Sequence, residues 1–398
     1  MCFLAGPASN YFGPKKCMVY NAVFAVFVNS GLYLTRLVGN FWWLVVFRFL
    51  CGVNSGFNAI ISPIYLHEIA PDELKGIFGA CFQMSVCVGL LLAESFGLVW
   101  VLGTNELWPY TFLLSGVAPL IQICLSVFVP ESPSYLARGG FTKPDLNRAV
   151  TSEVKLKGNQ AETSHLSELY ANRSEKTHGL IDDFRGIWKD KYPRAAAIQI
   201  SIIFAASQLT GISAVFFYSI TIFQSAGIPI DFAGVASLGL AIFLILGTII
   251  ALKLINKFGR LQLLNFSLVS MGLMCIIFTL LLSISDSSLI AYISMIPLFG
   301  YMLAFNIGPG PVPWLLASET VPVEFKAGVQ ALGSASLFFW TFVIGFCFPS
   351  MQEALGQYVF LVFAGLCGVS VIYIRFRCVE TFGRSVGQVR DVYKAKFG

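Results

Sequence analysis

The chain has 398 residues, a net charge of +5, 56% hydrophobic residues and 12% charged ones. A soluble domain carries about a quarter charged residues, so half that level, with a mean hydropathy of +0.75, excludes an ordinary water-soluble enzyme and a disordered chain. Apolar runs of about 20 residues recur without the strict alternation of an outer-membrane barrel, which leaves an all-α polytopic membrane protein.

In chain order, a short stub covers 1–12. Apolar spans follow at 17–38, 41–66, 76–101, 108–129, 193–223, 231–255, 261–283, 289–316, 327–349 and 356–377. A polar segment, 131–192, separates the fourth span from the fifth. It has too few apolar residues for a core of its own, and the stretch Asp182 to Trp188 reads as a short amphipathic helix. Two spans are interrupted. The 193–223 run has 31 residues, about 46 Å as one helix, with Gly211 just past its middle. The series Gly308-Pro309-Gly310-Pro311-Val312-Pro313 stops the 289–316 run as a regular helix. Broken helices expose backbone groups to a water-lined cavity, which is where transporters hold their solute.

Lys and Arg set the topology. Numbering the loops alternately puts 23 of the 26 basic residues in one set, eleven of them within 131–194, and only Arg36 in the other. The positive-inside rule places the long polar segment and the C-terminus in the cytoplasm. The sequon Asn172-Arg173-Ser174 then faces the cytoplasm and stays unmodified. Of the ten cysteines, seven lie in apolar runs and no C-x-x-C occurs, so they read as small buried hydrophobes. His67, His165 and His178 have no metal-ligand spacing, and no P-loop, GxSxG or HExxH motif occurs. No enzymatic activity, metal, cofactor or nucleic-acid partner is expected; the partners are the bilayer and a small polar solute.

An internal repeat organises the spans. Glu68, Pro71, Glu73 and Lys75 recur as Glu319, Pro322, Glu324 and Lys326, each 251 residues on. Glu131-Ser132 recurs as Glu380-Thr381 after 249 residues, and Phe12-Gly13 as Phe258-Gly259 after 246. Two bundles in parallel duplication are the plan of the major-facilitator transporters. The expected parts are an N-terminal bundle at 1–130, a cytoplasmic linker at 131–192, a six-helix bundle at 193–377 and a cytoplasmic tail at 378–398. Gly259 stands 65 residues after Arg194 and Gly13 only 12 after Met1, so the first half lacks about one helix and half of the next. The stub is too short to span and lacks the basic start of a signal peptide. The expected fold is therefore two six-helix bundles with the first helix and half of the second missing, either because the chain is an N-terminally truncated fragment or wrongly started gene model or because the protein lacks its first helix.

The junctions resemble one family. Pro130-Glu131-Ser132-Pro133-Ser134-Tyr135-Leu136 resembles the PESPRYL signature of the sugar porters. Gln208-Leu209-Thr210-Gly211-Ile212-Ser213-Ala214-Val215-Phe216-Phe217-Tyr218-Ser219 resembles their QQLSGINAVFYYS segment. Gly308 to Trp314 followed by Glu319 resembles GPGPIPW and its Glu, and Val379 to Ser385 resembles PETKGRS. Gly76 to Gly89, with Gln83, resembles the fifth helix of the family. The likeness runs along the whole chain and is nearest to the facilitative glucose transporter (GLUT) branch. It implies a pocket lined by Gln83, Ser207, Gln208, Ser213, Tyr218, Asn306 and Trp314. Amides give a sugar hydroxyl both a donor and an acceptor, and an aromatic ring covers its C–H face. Against the family pattern, Ser207 replaces a Gln, Ser213 an Asn, Phe217 a Tyr and Asn306 a Glu. Leu244 and Leu337-Phe338 fall where polar residues are expected. The first GR[R/K] junction reads Gly13-Pro14-Lys15-Lys16.

The charges at the helix ends form a second candidate group. Glu68, Lys75, Glu131, Arg260, Glu319, Lys326, Glu380 and Arg384 repeat in both halves, which suits a gate that pairs across the bundles in one state and separates in another. Arg48 lies within a span, matching an Arg of the family's fourth helix, and belongs inside the bundle beside an acid. Glu94 and Lys253 read as groups snorkelling to water. The expected function is a hexose or polyol carrier working by alternating access at the plasma membrane, facilitative or proton-linked. Two other readings stay open: a non-transporting relative of sugar carriers, and a proton symporter of another polar solute. The sequence does not fix the oligomeric state.

Overall fold

The computed structural model describes residues 2–71, 75–139, 145–157, 164–171, 186–255, 257–284, 288–384 and 386–397. Every regular element among them is helical. The stub is a helix, α1 (Cys2–Phe12), followed by α2 (Pro14–Tyr33) and a single turn, α3 (Thr35–Val38). Pro14 opens α2 because the first turn needs no N–H there. Asn40 accepts from the Trp42 amide and so caps α4 (Phe41–Ile69). Next come α5 (Lys75–Gly97) and α6 (Tyr110–Leu125).

The polar segment carries α7 (Pro133–Arg138), α8 (Leu146–Lys157) and α9 (Ser164–Ala171), with Ala137, Ala149 and Leu166 as their small shared core. The helix expected around Asp182 falls largely on residues outside the described ones, as do the sequon at Asn172 and His178.

The long run after it is broken twice. Helix α10 (Lys191–Leu209) ends at Gly211, whose φ of +92° favours glycine, and α11 (Ile212–Phe217) ends at Tyr218, after which α12 (Ser219–Ser225) begins. A Cβ at Gly211 would also stand 2.5 Å from the Phe363 ring. The sequence shows the first break; the second, at Tyr218, carries no Gly or Pro to mark it. Helices α13 (Ile230–Leu254) and α14 (Arg260–Ile284) are unbroken. The Gly-Pro series separates α15 (Ser288–Ile307) from α16 (Val312–Glu319). Helix α17 (Val323–Leu355) runs longer than the 327–349 expected, because its ends are polar but helix-compatible. Helix α18 (Val359–Arg377) follows, and the expected tail folds as α19 (Val386–Phe397).

Among the described residues, eight segments are long and apolar enough to cross a membrane; one of them, Phe325–Arg377, comprises two helices. Large apolar side chains face outward along them: Phe266 is 64% exposed and Phe346 74%. Such a surface is stable only against hydrocarbon. The chain is an integral, multi-pass membrane protein.

Two compact units are formed, one of residues 1–79 with 100–186, the other of 80–99 with 187–398. The division differs from the boundary expected at 130, because most of α5 packs with the second unit. That unit has two cores. One gathers Met271, Phe278, Tyr301 and Phe360, the other Ile255, Leu264, Leu316 and Tyr393. Val389 and Tyr393 anchor α19 in the latter. The first unit packs Val28, Leu32 and Phe47 between α2 and α4.

Candidate solute-binding site

Helix α15 ends in Asn306, which is fully buried. Its Nδ2 donates toward Leu244 O at 2.7 Å and Thr248 Oγ1 at 2.8 Å, and Cys87 Sγ lies at the same distance as the latter, 2.8 Å. Its Oδ1 accepts from Gln83 Nε2 at 3.1 Å. Gln83 and Asn306 are thus brought together, joining α5 to α13 and α15. Beyond the break, Trp314 stands edge-on to Phe82 at 5.2 Å and to Phe204 at 4.9 Å. Phe82 is the neighbour of Gln83, and Phe204 lies one turn before Gln208, so the indole links the two amides' helices.

A second group sits at the break in the long run. Gln208 Oε1 accepts from Ser213 Oγ at 2.7 Å and from Thr341 Oγ1 at 3.2 Å. The Tyr218 hydroxyl donates to Gly345 O at 2.9 Å, and its ring packs on Phe348. Both groups tie a broken helix to α17. Ser207 is not part of this arrangement: its hydroxyl bonds Phe204 O within its own helix.

Sequence reasoning missed Cys87, Thr248 and Thr341. Each is a lone polar atom in an apolar run. The available signal is spacing: Thr248 lies one turn after Leu244 and Thr341 one turn after Leu337, both positions where a polar residue was expected. Each hydroxyl lies one turn along on the same helix face as the expected position, since residues four apart share a face.

The charged junctions repeat in three dimensions. Glu131 Oε1 accepts from the amides of Lys15 at 2.9 Å and Ser132 at 3.1 Å. Glu380 accepts from the amides of Arg260 and Leu261, both at 2.9 Å, and of Thr381 at 3.1 Å. In each half a carboxylate holds the N-terminus of a membrane helix, where free N–H groups and the helix dipole favour an anion. A Cβ at Gly13 would meet the Glu131 carboxylate at 2.8 Å, and one at Gly259 the Glu380 carboxylate at 2.6 Å. That close approach explains why the glycine recurs with the glutamate. The ends of α4 and α16 are tied in as well: Ser132 Oγ donates to Glu68, and Thr381 Oγ1 to Glu319 at 2.7 Å.

One half adds a guanidinium. Arg260 grips Glu319 with two nitrogens, Nη2 to Oε1 at 2.9 Å and Nε to Oε2 at 3.2 Å, and covers the Phe382 ring at 4.7 Å. Its counterpart 246 residues earlier is Pro14. Arg384 bonds Glu380 O at 3.1 Å from the surface. These contacts lie within the units. Arg48 packs over Phe112 at 5.0 Å and is exposed on its own unit. Lys326 lies in the first turn of α17, and Lys75 starts α5 with its side chain outside the described residues.

The duplicated junctions and interrupted helices define a membrane solute carrier of the major-facilitator class. The solved structure of the proton:xylose symporter XylE bound to 6-bromo-6-deoxy-D-glucose has the same fold, with a TM-score of 0.81 at 20% identity over 98% of this chain and 86% of that one. The chain belongs to the sugar transporter family, whose profile, described as "Sugar (and other) transporter", matches residues 2–393. It is 32% identical to the human (Homo sapiens) solute carrier family 2, facilitated glucose transporter member 4, across 98% of this chain and 76% of that protein. Human facilitated glucose transporter member 5 is 29% identical, over 98% of this chain and 77% of the relative.

Proposed function

We propose that the chain is a facilitative carrier of a hexose or related polyol. It works by alternating access at the plasma membrane, with the polar segment 131–192 and the tail in the cytoplasm. The observation that carries this reading is the neutral donor and acceptor set Gln83, Asn306, Gln208 and Ser213 beside the Trp314 indole, placed at two helix breaks. A hydroxylated ring needs such groups: amides that both donate and accept, and a π-face for its C–H side. The named relatives, facilitated glucose transporters, support the same solute class.

The geometry suggests how the solute acts. In the structure the two amides are engaged, Gln83 by Asn306 and Gln208 by Ser213 and Thr341. A sugar exchanges these bonds for its own at little net enthalpy, because one hydrogen bond replaces another. It favours whichever state leaves the amides facing it, and differential affinity is what shifts a two-state carrier. The Arg260–Glu319 pair biases the same equilibrium if it is made in one state only.

The test is uptake of labelled glucose and fructose by cells that lack hexose transport and express this chain at their surface. Saturable uptake that persists without a proton gradient supports the facilitative carrier. Uptake that collapses with the gradient replaces it with a symporter. Surface-localised protein that moves neither sugar supports the non-transporting reading.

A further inference from the structure

The second unit holds a cavity of ≈ 230 Å³ at the end away from Arg260. Ile222 and Ser225 line it from α12, Phe278 and Leu282 from α14, Ala291 from α15, Gln352 from the last turn of α17 and Gln357 from the turn joining α17 to α18. Phe278 lies 18 residues beyond Arg260 along one helix, roughly 27 Å. Ala291 lies 15 residues before Asn306, roughly 22 Å. The cavity is thus separate from Gln83, Asn306 and Gln208, although its α12 wall begins one turn past Tyr218, and on the topology proposed above it opens toward the outer face.

Its chemistry is specific. Among the described residues the lining carries no formal charge. The polar groups are two amides and the Ser225 hydroxyl, and the aromatic wall is Phe360 packed edge-on against Phe278 at 4.7 Å. The amides are held only at the long limit of a hydrogen bond, Gln352 Nε2 to Ser225 Oγ at 3.4 Å and Gln357 Nε2 to Ser283 Oγ at 3.3 Å. They exchange readily for a ligand hydroxyl. The cavity has room for one six-carbon ring.

We infer that this cavity is an outer station for the transported solute, a weak binding site for one neutral hexose or polyol ring. It rests on the carrier reading above and extends it to a second site. The hydroxyls are taken by Gln352, Gln357 and Ser225, and the C–H face by Phe360.

The test measures labelled D-glucose and D-fructose bound at equilibrium to the purified chain in nanodiscs of neutral phosphatidylcholine. Two sites per chain are expected. Gln208→Ala should remove one and leave the other. Gln352→Leu with Gln357→Leu should weaken the remaining one about tenfold, the loss that ~1.4 kcal/mol of hydrogen bonding produces. Ala291→Leu, which narrows the cavity from the opposite wall, should do the same and guards against a misfolded double variant. A single site, abolished by Gln208→Ala and untouched by the cavity variants, overturns the outer station and leaves the carrier standing. An intact chain that binds neither sugar overturns both.

Discussion

Gln83 Nε2 and Asn306 Oδ1 are 3.1 Å apart, in a pair that joins α5 to the helix break at Gly308. Asn306 is the centre of that contact. Its amide hydrogens face a backbone carbonyl and a threonine hydroxyl, so an anion of the same shape does not fit. Asn306→Asp should place a carboxylate oxygen against Leu244 O, now 2.7 Å from Nδ2. An unsatisfied buried pair of acceptors costs about 1–3 kcal/mol, more when one is charged. A lower melting temperature in detergent is the expected readout, with Asn306→Gln less damaging than Asn306→Asp.

Gln83 is expected to bind solute and not merely to brace helices. Gln83→Leu should then raise the KM for sugar about tenfold, as the loss of ~1–1.5 kcal/mol from a bound hydroxyl does, with surface expression kept. If the residue is only a brace, the melting temperature falls and KM stays.

The Arg260–Glu319 pair is largely withdrawn from water, with side chains 10% and 26% exposed. Breaking it leaves a charge in place without its partner, so Arg260→Ala and Glu319→Gln should each destabilise by about 1–3 kcal/mol. A double-mutant cycle should show that the double variant costs less than the sum. Additive losses would show that the two residues act independently.

Gly13→Ala and Gly259→Ala test the carboxylate caps. The added Cβ would crowd Glu131 at 2.8 Å and Glu380 at 2.6 Å. Each variant should lose about 1–3 kcal/mol, and Gly13→Ala more, because φ at Gly13 is +94°. Thermal unfolding followed by tryptophan fluorescence gives the comparison.

Cys378 lies just past the last membrane helix and is 6% exposed. Burial pushes its thiol up to about 11, against the pull of Gln199 and of the Lys396 ammonium. At pH 8 the thiolate fraction is then about 10⁻³, so maleimide should react slowly, and the rate should climb about tenfold per pH unit up to about 11. Tyr393→Ala, which removes the tyrosine bonded to Gln199 and frees α19, should speed labelling at pH 8. Unchanged labelling would show that the tail helix does not shield this thiol.

The spans, the repeat and the first helix break were legible because each has a local cause. Twenty apolar residues, a glycine beside a distant glutamate and a run of prolines state their structure directly. Tyr218 was not legible as a break, since nothing in its residue type forbids a helix; the hydroxyl bonded to Gly345 O and the ring on Phe348 hold it there. Thr248, Thr341 and Cys87 were hidden for a related reason. A single polar atom in an apolar run gains meaning only from a partner tens or hundreds of residues away. Arg260 shows the opposite case: its pairing within one unit follows from the junction motif, whose Glu319 and Glu380 come together at its helix start.

Gln83, Asn306, Gln208, Ser213, Tyr218 and Trp314 share one property with electrical consequences: all are uncharged side chains. Moving one elementary charge through the membrane field is worth about 2.3 kcal/mol per 100 mV, and these groups carry none across with a neutral sugar. If the cycle is facilitative, as proposed, a neutral sugar carried by these groups moves no charge, and a cell that depolarises neither gains nor loses sugar through it.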